Sequence, residues 1–192
     1  MMSNLVRNMI GSAALLASIS AHATVDTYGD LLAGSYQPSE PFATMSYTNI
    51  GNVYSFTLSA LDLDAIFTDG SFIGAIAVDA ASQPIISNVV GDTVVSVANG
   101  GGPTGIFDFR FDLTGPQQNR LTANETVSWD ATFSQATTLT ADSFALHVQG
   151  LTREQGGSAW YTATPVPEPE TYAMMLVGLG MLGFTAKRKN NS

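Results

Sequence analysis

The chain of 192 residues has no cysteine. That excludes a disulfide-stapled scaffold, a thiolate metal centre and thiol catalysis. Charge is scarce as well: 12% of residues are Asp, Glu, Lys or Arg, about half the ~25% of an ordinary soluble domain. No lysine occurs before residue 187, so the body cannot form a Schiff base. Between residues 24 and 170 there are three cations, Arg110, Arg120 and Arg153, against all sixteen acidic residues, a local balance of −13. A body this acidic repels phosphate backbones, which excludes nucleic acid as a partner. His147 is the single histidine after residue 23, so a His-rich metal centre cannot be built. The 45% hydrophobic content, in contrast, is ordinary and excludes a disordered acidic tail.

The chain also lacks an apolar run long enough for a full membrane span, and its two short runs lie at its ends. At the N-terminus, Arg7 precedes an apolar stretch over 9–19, and Ala21-His22-Ala23 follows with small residues at Ala21 and Ala23. This is the layout of a secretory signal peptide over 1–23, cleaved after Ala23 to leave Thr24 as the first mature residue. At the C-terminus, Pro165-Val166-Pro167-Glu168-Pro169-Glu170-Thr171 is held extended by its prolines. An uncharged apolar segment over 172–186 comes next, then Lys187-Arg188-Lys189. Fifteen residues at 1.5 Å rise give about 22 Å of helix, short of a ~30 Å hydrocarbon core. The basic cluster resists translocation, so the segment reads as a short C-terminal transmembrane helix with stop-transfer character.

The order Val-Pro-Glu-Pro, short Gly-containing apolar helix, basic cluster resembles the PEP-CTERM sorting signal of Gram-negative bacteria over 165–189. The resemblance implies Pro167, Glu168 and Pro169 as the recognition motif, with an exosortase as partner and cleavage nearby. It implies export across the inner membrane, transient or retained anchoring, and then the cell surface, extracellular polysaccharide or biofilm matrix. The stretch ADSFALHVQG…GGSAWYTATPVPEPETYAMMLVGLGMLGF is also similar to the end of the FxDxF family of PEP-CTERM proteins. The departure is that no Phe-x-Asp-x-Phe occurs here.

Residues 24–164 read as one all-β domain, an antiparallel β-sandwich of jelly-roll-like type, because short β-rich runs alternate with turn residues. Runs 44–49 and 53–59 form a hairpin candidate about Gly51-Asn52, and 85–90 and 93–97 flank a second tight turn at Gly91-Asp92. Runs 72–78, 126–133, 143–150 and 158–164 are further strands. In 105–113, Phe107, Phe109, Phe111 and Leu113 alternate with Ile106, Asp108, Arg110 and Asp112, so period two sends the former to a core. His147 falls opposite the apolar face of its strand and is expected on the exterior.

Catalytic patterns are sparse. Gly70-Ser71-Phe72-Ile73-Gly74 puts the serine one place early for a nucleophile elbow, and Gly100-Gly101-Gly102-Pro103-Thr104-Gly105 lacks the lysine of a phosphate loop. Asp62, Asp64 and Asp69 are hard oxygen donors within eight residues. They are either a Ca²⁺ site, the one cofactor the sequence raises, or a solvated acidic edge. Trp129, Trp160 and Tyr161 are candidate sugar platforms. The leading expectation is an exported non-catalytic structural or adhesive component of the surface or matrix. A carbohydrate- or Ca²⁺-binding module is the alternative, and a glycoside hydrolase using two carboxylates is a third reading.

Overall fold

The computed structural model describes residues 23–164, apart from 104. Its strands are β1 (Thr24–Ala33), β2 (Ala43–Ile50), β3 (Val53–Ala60), β4 (Phe72–Val78), β5 (Ile85–Val90), β6 (Val94–Asn99), β7 (Phe109–Thr114), β8 (Thr126–Thr132), β9 (Phe144–Gln149) and β10 (Ser158–Ala163). One helical turn, α1 (Leu63–Ile66), follows β3. All pairings are antiparallel, and they join the strands in the order β5-β8-β3-β2-β1-β10-β9-β4-β7-β6. The all-β antiparallel body expected from the turn-punctuated sequence is therefore present. Instead of two separate sheets, hydrogen bonding makes one ten-stranded sheet, curled until its edge strands β5 and β6 approach each other.

Alternation drives this curl. Met45 and Tyr47 of β2, Tyr54, Phe56 and Leu58 of β3, and Val127, Trp129 and Ala131 of β8 all point inward and are buried. They meet inward residues of strands that are not their neighbours in the sheet. Phe56 lies 5.8 Å from both Phe111 of β7 and Phe144 of β9, and Trp129 lies 5.5 Å from Phe111. Each buried aromatic contributes roughly 1.5–3 kcal/mol of transfer energy, with about 0.5–1.5 kcal/mol more per favourable ring pair. Closing the sheet on itself is what lets rings from opposite walls reach each other.

The β2–β3 hairpin forms as expected. Ile50 pairs with Val53 across Gly51-Asn52, and Gly51 supplies the positive φ of 65° that a two-residue loop needs. The second expected hairpin does not form. β5 pairs with β8 and β6 with β7, so these consecutive strands become the two edges of the sheet. Their connector is held away from hairpin geometry: the Thr93 hydroxyl donates to the Asn119 carbonyl at 2.8 Å, and Asn119 Nδ2 donates to the Asp92 carbonyl at 3.0 Å. Strand β1 carries no apolar alternation, because Asp26 points inward while Val25 points outward; pairing with both β2 and β10 defines it.

Phe107 is a further correction. It is buried, but it precedes β7 and packs on the outer face with Ala77 and Ala145, not in the main core with Phe109 and Phe111. The regular ladder starts at Phe109, and the Asp108 N–H donates to the Val78 carbonyl outside it, so the alternation does not extend back to Phe107.

Ala23 is exposed and immediately precedes β1, and β10 ends at Ala163. Ala21 and most of the 1–23 segment lie outside the described residues, as do Pro167, Glu168 and Pro169, the 172–186 segment, and Lys187, Arg188 and Lys189. Among the described residues, no helix is long and apolar enough to cross a membrane.

Candidate functional site

The register of β10, β9, β4 and β7 places four outward residues in one cross-strand row. Trp160 is opposite His147, His147 opposite Ala75, and Ala75 opposite Asp112. The next row along runs Ala145, Ala77, Arg110. Large side chains therefore stand on the flanking strands, with Gly74, Ala75 and Ala77 on β4 between them. The result is a trough of about 340 Å³ on the outer face, lined by Gly74, Arg110, Asp112, His147, Gln149 and Trp160 among others. A second hollow of about 200 Å³ shares Gly74, Thr114 and Gln149 with it and continues to Phe72 and Arg120.

One wall is aromatic. The His147 and Trp160 rings stack with centroids 4.3 Å apart and planes within 4°. His147 was expected to be exposed; it is half-buried under this stack. Burial, aided by the Arg110 charge and opposed by Asp112, lowers its pKa to about 4, so the imidazole is neutral at pH 7.

The other wall is an ion pair. Arg110 Nε donates to Asp112 Oδ1 and Arg110 Nη2 to Asp112 Oδ2. Arg110 Nη1 donates to the carbonyls of Asn99 and Gly100 at 3.3 and 3.4 Å, tying down the loop that leads to Phe107. On the floor, the Gln149 amide lies in the space beside Gly74 that a Cβ there would enter. At the far end, the Arg120 guanidinium sits 4.2 Å from the centroid of the Phe72 ring.

The sequence candidates are distributed differently from this trough. Of the three aromatic platforms, Trp160 alone faces outward. Trp129 and Tyr161 are core residues, Trp129 stacked on Phe56 at 5.1 Å and Tyr161 donating to the Tyr36 carbonyl at 2.8 Å. Asp62 caps α1 by accepting from the Ala65 N–H at 3.2 Å, and Asp64 accepts from the Gly70 N–H at 3.2 Å. Asp69 is exposed, and among the described residues no group of three or more His or acidic side chains gathers to hold a metal. Ser71 is fully buried, with its hydroxyl 3.3 Å from that of Thr68. Arg110, Asp112 and Gln149 carry no signal in the sequence as site residues. Alternation puts Arg110 and Asp112 on one face, but nothing in the sequence says which strand lies beside them.

An antiparallel β-body running into a proline-rich, apolar and basic tail defines a class, the exported protein with a C-terminal sorting tag. The family model for the PEP-CTERM protein-sorting motif matches residues 165–189. The chain thus carries the tag of exosortase-sorted exported proteins, and the tag implies processing at the membrane by an exosortase. The match covers the motif and determines no subfamily. No curated protein and no solved structure matches the chain.

Proposed function

We propose that this protein is a non-catalytic structural or adhesive component of the cell surface or extracellular matrix, delivered there through its sorting tag. The observation that carries the reading is the PEP-CTERM motif at 165–189, which begins one residue after Thr164, where the described β-body ends. In the outer trough Asp112, already bound to Arg110, is the one acid, whereas a glycosidase needs two carboxyl groups across a cleft. The body's histidine is stacked on Trp160, and Ser71 is fully buried.

Adhesion has a physical basis in the sheet edges. β5 and β6 contain no charged residue, and Ile85, Val90 and Val94 stand 75%, 67% and 55% exposed on them. Apolar, uncharged edges of this kind favour association with other surfaces.

The test is intact mass of the full-length chain expressed in an exosortase-bearing host, taken from membrane and medium fractions. Loss of residues 1–23 together with a cut near 167–171 is expected, with the product outside the cell. An uncut tail held in the membrane fraction would overturn release into the matrix.

A further inference from the structure

We propose that the trough across β10, β9, β4 and β7 is a binding site for an uncharged, hydroxyl-rich polysaccharide. The inference deepens the surface-protein reading and rests on it in one respect, that such polymers are met outside the cell. The site itself is argued from its walls.

The trough crosses three interstrand spacings of about 4.8 Å, roughly 14 Å in all, and continues toward Phe72 and Arg120 through shared lining residues. That length suits an extended ligand such as a short run of sugar rings. The stacked Trp160–His147 pair, with His147 on the strand next to the β4 floor, gives a flat aromatic wall of the kind on which the C–H face of a pyranose packs. Around it stand the Gln149 amide, the Thr114 hydroxyl and the Asp112 carboxylate, and the nitrogens of the His147 ring itself add one donor and one acceptor. These offer both donors and acceptors, and a sugar hydroxyl is both at once.

Charge decides the class of sugar. Arg110 has its guanidinium on Asp112 and on two carbonyls, and Arg120 lies on Phe72 at the end of the second hollow, so the trough itself presents no unpaired cation to a carboxylate. The −13 balance of residues 24–170 repels a polyuronate before contact. A neutral polymer meets neither obstacle. The trough is also preformed: Gly74 makes room for Gln149, and the Phe107 cluster with Ala77 and Ala145 borders it beside Trp160.

The experiment titrates the full-length chain with a neutral glucan oligosaccharide and with a uronate oligosaccharide of equal length. Tryptophan emission and calorimetric heat are the two readouts. Trp129 is 1% exposed and Trp160 lines the trough, so a change in emission reports Trp160. The expected result is a saturable change with the neutral probe and at least about tenfold weaker binding of the uronate. Gln149→Ala and Asp112→Asn, each checked for an unchanged melting transition, should weaken the neutral probe by about tenfold, the loss expected from one hydrogen bond to ligand. The proposal is overturned if neither probe gives heat or a fluorescence change, if the uronate binds as tightly, or if both folded variants bind like the wild type. None of these outcomes depends on whether the tail is cut, so a failure of sorting and a failure of the trough are told apart.

Discussion

Acidification should cost this protein stability through one identifiable side chain. His147 is the single histidine after residue 23, and its pKa falls from 6.5 to about 4 in the folded chain. A histidine whose folded pKa is depressed contributes stability that is complete above the unfolded value of 6.5. The contribution is lost as pH falls from there through about 4 and changes no further below that. Integrating the proton linkage between about pH 7.5 and pH 5 gives a loss of about 2 kcal/mol. Two effects reduce it: the ring is half-exposed and screened by solvent, and an imidazolium stacked on the Trp160 indole regains about 0.5–1 kcal/mol. The net loss is about 1 kcal/mol, or about 3 °C in Tm for a domain of this size. The assay is urea unfolding of the wild type and of His147→Gln at both pH values. The carboxylates titrate in both proteins, so the difference isolates the histidine. The wild type should lose about 1 kcal/mol more than the variant. Parallel losses, or an imidazole that titrates near 6.5 by NMR, would refute the reasoning.

Two further perturbations test the fold around the site. Asp26 is 8% exposed, its Oδ2 has no hydrogen-bond partner, and burial followed by the Asp142 charge raises its pKa, partly offset by Tyr47. A raised carboxyl pKa means that folding favours the protonated form, so Asp26→Asn should raise Tm at neutral pH, with the gain fading as pH falls into the carboxylate range. An unchanged or lower Tm at neutral pH would show that the charge is accommodated. Gly101→Ala would drive a methyl group into the Phe107 carbonyl and lift Phe107 off Ala77 and Ala145. The expected cost is about 1–3 kcal/mol, with faster amide exchange confined to the loop between β6 and β7; an unaltered exchange pattern there would contradict the packing described.

The sorting motif and most of the strands are legible in the amino-acid sequence. A sorting tag is legible because it acts as a linear segment: proline stiffness, an apolar stretch and a cationic stop are all local properties. Strands β2, β3, β4, β8, β9 and β10 were legible because alternation over six to eight residues marks one face as buried, whichever neighbour it meets. In β7 the same pattern correctly buried Phe109, Phe111 and Leu113, yet it failed at Phe107, where the backbone leaves the strand.

The remaining features depend on long-range pairing. Gly91-Asp92 looks like a hairpin turn, but Thr93 and Asn119 hold the connector, and the strands on either side pair with β8 and β7. The trough lay beyond sequence reasoning for a related cause. Alternation says that His147, Ala75, Asp112 and Trp160 each face outward or inward on their own strand. Only interstrand hydrogen-bond register, which depends on residues up to the full length of the domain apart, sets them in a single row.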